Sequence, residues 1–86
     1  MIIGVNRAVE HAGRELHVQI EDLGLEAGAF EARVYERGTV LWRRRVPYQE
    51  LLERGLAKPE FEDELRSLMD KTLHTVEAAI LKGKLG

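Results

Sequence analysis

The chain has 86 residues, 44% hydrophobic and 33% charged, with 13 Lys and Arg against 15 Asp and Glu for a formal net charge of -2. Such a size allows one small domain, the composition is that of a globular chain, and no apolar run reaches the roughly 20 residues of a bilayer-spanning helix. With no cysteine in the chain, disulfides, thiolate metal sites and thiol nucleophiles are excluded.

Met1-Ile2-Ile3 before Gly4 is too short to be the apolar region of a signal peptide, so a cytoplasmic protein is expected. Ile2 to His11 reads as a first strand, diluted by Gly4 and Asn6. Ala12-Gly13 signals a turn. Arg14 to Asp22 then alternates strictly, with Leu16, Val18 and Ile20 on one side and Glu15, His17, Gln19 and Glu21 on the other. That is the pattern of a half-buried antiparallel strand. A two-residue turn at Ala12-Gly13 sets His11 opposite Arg14, Val9 opposite Leu16 and Val5 opposite Ile20, which keeps the apolar residues on one face. Leu23 to Ala29, with Gly24 and Gly28, is expected to be a mobile loop.

The second hairpin alternates Phe30, Ala32 and Val34 with Glu31, Arg33 and Tyr35, and resumes at Val40 and Trp42. Two registers compete. A two-residue turn at Arg37-Gly38 sends Trp42 to the face of Arg33. A three-residue loop with Gly38 in a bulge sets Val34 opposite Val40, Ala32 opposite Trp42 and Glu31 opposite Arg43, and it is preferred because Phe30, Val34, Val40 and Trp42 then share the core face. Arg44 lies on the core side and must reach the sheet margin or a carboxylate. Pro47, which cannot donate to a ladder, ends the strand.

Residues 48–54 carry Tyr48, Leu51 and Leu52 at helical spacing and stop at Gly55, the signature of a short helix. From Pro59 to Lys82, Phe61, Leu65, Leu68, Met69, Leu73, Val76 and Ile80 form one apolar stripe. Pro59 suits the first turn, Glu60, Glu62, Asp63 and Glu64 complement the positive end of the helix dipole, and Gly83 supplies the C-terminal stop, leaving residues 84–86 as a tail. Strands first and helices after them predict a single α+β domain over residues 1–86. Its parts are a four-stranded antiparallel meander (residues 2–46), a short helix (48–54) and a long amphipathic helix (59–82) on one face of the sheet. A helix of about 23 residues spans roughly 35 Å, against a sheet under about 20 Å wide. Unless the helix runs along the strands, its last turns overhang. Leu73, Val76, Ile80 and the off-stripe Leu81 are therefore expected at a homodimer interface.

No catalytic constellation is present. Ser67 is the only serine and has no base at a recognisable spacing, so no enzyme activity is expected. His17 and Glu21 stand about 13 Å apart along their strand, too far to share a metal ion. Asp70, His74 and Glu77 recur at helical steps, a weak-metal geometry that an ordinary surface ladder also explains; no metal or cofactor is expected. The glycines form no phosphate cradle.

Charge is divided along the chain. Arg33, Arg37, Arg43, Arg44 and Arg45 stand against Glu36 alone, whereas seven acids outnumber three bases between Glu50 and Asp70. Cations beside Tyr35 and Trp42 fit either a protein-binding patch or a single-strand nucleic-acid surface, and the acidic whole favours the former. The expected partner-binding residues are Arg33, Tyr35, Leu41, Arg43 and Arg45 on the outer sheet face. The expected function is a non-enzymatic protein-protein interaction module or adaptor, self-associating as a homodimer through the long helix or the outer sheet face. The alternative is nucleic-acid binding by the arginine-rich second hairpin.

The run His17-Val18-Gln19-Ile20-Glu21-Asp22-Leu23-Gly24, followed by Arg37-Gly38-Thr39-Val40-Leu41 and Tyr48-Gln49-Glu50-Leu51-Leu52, resembles a group of small uncharacterised bacterial proteins with that order of motifs. The resemblance implies a bacterial cytoplasmic protein and brings no catalytic residue or ligand with it.

Overall fold

The computed structural model describes residues 4–84. Four antiparallel strands, β1 (Gly4–His11), β2 (Arg14–Asp22), β3 (Ala29–Glu36) and β4 (Thr39–Pro47), form one sheet in the order β1-β2-β3-β4. A short helix α1 (Gln49–Glu53) and a long helix α2 (Lys58–Leu81) follow, so the domain is an α+β meander with its helices after its strands. The expected start of the first strand at Ile2 and the end of the tail at Leu85 and Gly86 lie outside the described residues.

The first hairpin has the register that its alternation requires, with Val5 opposite Ile20, Val9 opposite Leu16 and His11 opposite Arg14. Ala12 (φ 53°) and Gly13 (φ 77°) both occupy the left-handed region, as a tight two-residue turn between right-twisting strands demands.

The second hairpin corrects the expected register. Arg37 (φ 51°) and Gly38 (φ 80°) form a two-residue turn of the same kind, with Glu36 opposite Thr39 and Tyr35 opposite Val40. A bulge then intervenes, Leu41 is the extra residue, and Val34 pairs with Trp42. One additional residue reverses the facing of everything beyond it, so the tight turn and an inward Trp42 coexist. Val40, expected in the core, faces outward and is 45% exposed. Leu41, expected outside, is half-buried against the core, because both residues at a bulge oppose one on the neighbouring strand. Glu31 stands opposite Arg45 rather than Arg43.

The loop between β2 and β3, expected to be mobile, is held by several hydrogen bonds. Leu23 N–H donates to the Ala29 carbonyl, Gly28 N–H to the Gly24 carbonyl and Gly24 N–H to Asp22 Oδ1, each at 3.0–3.1 Å. Tyr48 closes it from the other side. Its N–H donates to the Gly28 carbonyl (2.8 Å) and its buried hydroxyl to Asp22 Oδ1 (2.6 Å), with the Gly24 carbonyl also 3.1 Å away. The Tyr48 ring meets Phe61 of α2 edge to face at 5.8 Å, so one side chain links the β2–β3 loop to the start of the long helix. Burial, followed by the Asp22 hydrogen bond, raises the phenol's pKa well above its ordinary value.

Helix α2 starts one residue before the expected Pro59. It ends in a Schellman motif, Gly83 (φ 70°) N–H donating to Ile80 and Lys84 N–H to Ala79, both at 2.9 Å. Leu65, Met69, Leu73, Val76 and Ile80 of its stripe are buried against Leu16, Val18, Ile20, Phe30 and Val34 of the sheet. At about 1.5–3 kcal/mol for each fully buried large apolar side chain, these five helix residues represent on the order of 10 kcal/mol gross.

The overhang expected for this helix does not occur. The molecule measures 45 × 20 × 18 Å. A 24-residue helix, about 36 Å long, fits only along the long dimension, and so do strands of eight or nine residues at about 3.3 Å each. Helix and strands therefore run along one another, and the stripe is buried from Leu65 to Ile80 apart from the half-buried Leu68, with Phe61 half-buried at its start. Laterally, α2 lies over β1, β2 and β3 and leaves β4 at the margin.

Candidate interaction surface

Two surfaces carry the arginines singled out in the sequence. On the outer sheet face, Arg33 is surrounded by its own chain: Nε donates to Glu31 Oε1, Nη1 to the Tyr35 hydroxyl at 3.1 Å, and Nη2 lies 3.8 Å from Glu21 Oε2. The Tyr35 hydrogen bond first, then the Glu31 bond, push the guanidinium pKa above its ordinary value. Arg33 and Tyr35 are thus half-buried and bonded to one another, with Arg33 held between Glu31 and Glu21 rather than standing free as expected at a docking patch. His17, opposite Tyr35, lies 3.1 Å from Glu15.

The edge strand is different. Arg43, Arg44 and Arg45 are all exposed, and among the described residues no carboxylate lies within ion-pair distance of any of them. Arg45 reaches only the Ala27 carbonyl, at 3.5 Å. Pairing with β3 places Arg43 and Arg45 on the outer face, opposite Arg33 and Glu31, and Arg44 on the helix side, opposite Ala32. Arg44 thereby meets the sequence expectation of a core-side arginine that escapes to the margin. Because α2 is centred on the other three strands, a groove of about 560 Å³ opens between it and β4. Trp42, Arg44 and Val46 form its sheet wall, and Lys71, Thr75, Val76 and Ala79 its helix wall. Trp42 is half-buried there, part core and part groove lining.

The other edge of the sheet, β1, is also without a neighbouring strand, but its arginine is paired. Arg7 of β1 donates to Glu77 of α2 at 2.9 Å. That pair also takes Glu77 out of the Asp70, His74 and Glu77 ladder, and the described residues contain no group of three His, Asp or Glu placed to hold a metal ion. Ser67 is exposed on α2 in a shallow depression with Glu64, Arg54 and Lys71, without a histidine beside it.

The expected dimer interface needs correction. Leu73, Val76 and Ile80 are 1%, 3% and 1% exposed within one chain, so they are unavailable to a second copy. Their cover is the sheet itself. Leu81, off the stripe, is 57% exposed. The groove could not be located from periodicity alone, because it depends on which strand the helix leaves uncovered. The legible signal was Arg44, a charge at a core-phase position.

The chain matches no protein-family profile, and no curated protein and no solved structure is similar to it at a significant level. No helix among the described residues is long and apolar enough to cross a membrane.

Proposed function

We propose that the chain is a non-enzymatic protein-interaction module, an adaptor that docks a partner along the open edge of β4 and the groove behind it. The observation that carries this reading is the placement of three exposed, carboxylate-free arginines on the strand that the helix leaves uncovered, next to a groove that Trp42, Val46, Val76 and Ala79 line together with Lys71 and Thr75. Cations around a half-buried tryptophan form the mixed composition on which protein interfaces concentrate their affinity. Self-association through the long helix forms no part of the proposal, since its stripe is consumed within the chain. A chain without cysteine needs no oxidising compartment, which supports a cytoplasmic address.

The test is a selection of randomised displayed peptides on the immobilised protein, counter-selected against a variant with Arg43, Arg44 and Arg45 all replaced by alanine. Enrichment that disappears on the variant is the expected result. Absence of any arginine-dependent enrichment would contradict the module.

A second reading, single-stranded nucleic-acid binding, is favoured by one observation: Arg43 and Arg45 are exposed with no carboxylate at ion-pair distance, and Arg37, beside Glu36, is exposed at the hairpin turn. It loses ground because Arg33 is neutralised by Glu31 and Glu21, and because the net charge is -2. Salt-sensitive retardation of a short single-stranded oligonucleotide is its measurement.

A further inference from the structure

We infer that the partner segment is an extended peptide with acidic residues at every second position and apolar residues between them, which adds to β4 as a fifth strand. The inference rests on the interaction-module reading and specifies the ligand of that same surface.

An edge strand leaves half of its backbone N–H and C=O groups without a ladder partner, and β4 is such an edge. From Trp42, just past the bulge, to Val46, just before Pro47, the strand is regular over five residues. That is about 17 Å of pairing surface. The side chains flanking it differ in chemistry on its two faces. Arg43 and Arg45 lie on the outer side, where the next charges inward are Arg33 and Glu31. On the helix side lie Trp42 and Val46, with Val76 and Ala79 across the groove and Lys71 and Thr75 on the same helix wall. A strand laid against β4 alternates its side chains between these two environments, so the matching ligand alternates carboxylates with apolar groups. Arg44, with Lys71 of α2 across the groove from it, would take a carboxylate at the margin.

A second copy of the chain is the poorer occupant. Pairing β4 with β4 of another molecule would set two Arg43-Arg44-Arg45 runs side by side, and like charges directly opposite each other in a ladder are destabilising. The edge offered by β1 bears Arg7 and Glu10 with no net excess, and its arginine is already paired with Glu77. Oligonucleotide phosphates would satisfy the same cations but not the unpaired backbone groups or the apolar groove wall.

Trp42 is the only tryptophan in the chain and lines the groove, so its emission reports occupancy directly. The probe is a blocked nine-residue peptide with glutamate at alternate positions and valine or threonine between. It is titrated at low ionic strength beside three comparators: the same composition with its glutamates clustered, the alternating peptide with a central proline, and a twelve-nucleotide oligothymidylate. The expected result is a saturable change in emission with the alternating peptide alone. Arg43→Glu with Arg45→Glu, both exposed and so compatible with folding (checked by circular dichroism), should weaken binding on the order of tenfold. Equal binding of the clustered or proline peptide would overturn strand addition in favour of plain charge attraction. Tighter binding of the oligonucleotide would overturn it in favour of nucleic acid, and no saturable response to any probe would also overturn it. If the displayed-peptide selection nevertheless yields arginine-dependent ligands of another pattern, the module stands and only the fifth strand falls.

Discussion

Replacing Tyr48 with phenylalanine removes one oxygen atom from the junction on which the helical half of the chain turns back over the sheet. The hydroxyl donates to the Asp22 carboxylate at 2.6 Å, and the ring is 2% exposed and seated on Phe61. Phenylalanine keeps the ring contact and loses the charged hydrogen bond, so the expected cost is about 1.5–3 kcal/mol. For a domain of this size that is a fall in Tm on the order of 10 °C. The pH dependence carries an independent sign. The phenol's pKa is raised in the folded state by burial and by Asp22, so its contribution is fully present below the ordinary tyrosine value near 10 and is lost as pH rises above it toward the folded-state value. Urea denaturation at pH 7, 9, 10 and 11 is the assay. The stability difference between wild type and Tyr48→Phe should shrink across the upper part of that range, while other titrating groups cancel in the subtraction. A constant difference, or equal stability at pH 7, would refute the linkage of Tyr48 to Asp22.

Three further outcomes are expected. Gly28→Ala forces φ 60° on a residue with a Cβ that would stand 2.2 Å from Gln49 Nε2, and should cost about 1–2 kcal/mol in denaturant titration. Ala12→Gly relieves a left-handed alanine (φ 53°) in the first hairpin turn and should add about 0.5–1 kcal/mol; unchanged stability would mean that the turn is not strained. Leu73→Ala opens a cavity at a site 1% exposed and should cost about 2–5 kcal/mol without altering the molar mass measured by light scattering, whereas a change of mass alone would reinstate the helix as an interface.

Where periodicity and local turn chemistry agreed, the sequence was readable. The first hairpin had one register that kept Val9, Leu16, Val5 and Ile20 together, and that register occurs. The second hairpin posed a conflict between a favourable turn at Arg37-Gly38 and an inward Trp42. The conflict arose from a strict two-residue period, which a bulge at Leu41 suspends. The long helix was legible in composition and capping, yet its direction relative to the strands was not. A helix laid across the sheet would have left Leu73, Val76 and Ile80 uncovered, whereas one laid along it buries them, and nothing local to the helix distinguishes the two. The tie from Tyr48 to Asp22 spans 26 positions and left no local trace, which is why the glycine-bearing loop it secures read as mobile. At the candidate site, the arginines could be named in advance but their availability could not. Arg33 turned out to be engaged by Glu31 and Glu21, and Arg43 and Arg44 to be without carboxylate partners, because strand pairing decides which charges become neighbours.

A strand added to the open edge of β4 would leave its mark on the backbone amides of that strand. Backbone amide hydrogen exchange, followed residue by residue with and without the alternating acidic peptide at saturation, tests it most directly. New protection is expected at alternate amides between Trp42 and Val46, with β1 unchanged. Protection spread over the outer sheet face, or none on β4 while the peptide is bound, would contradict it.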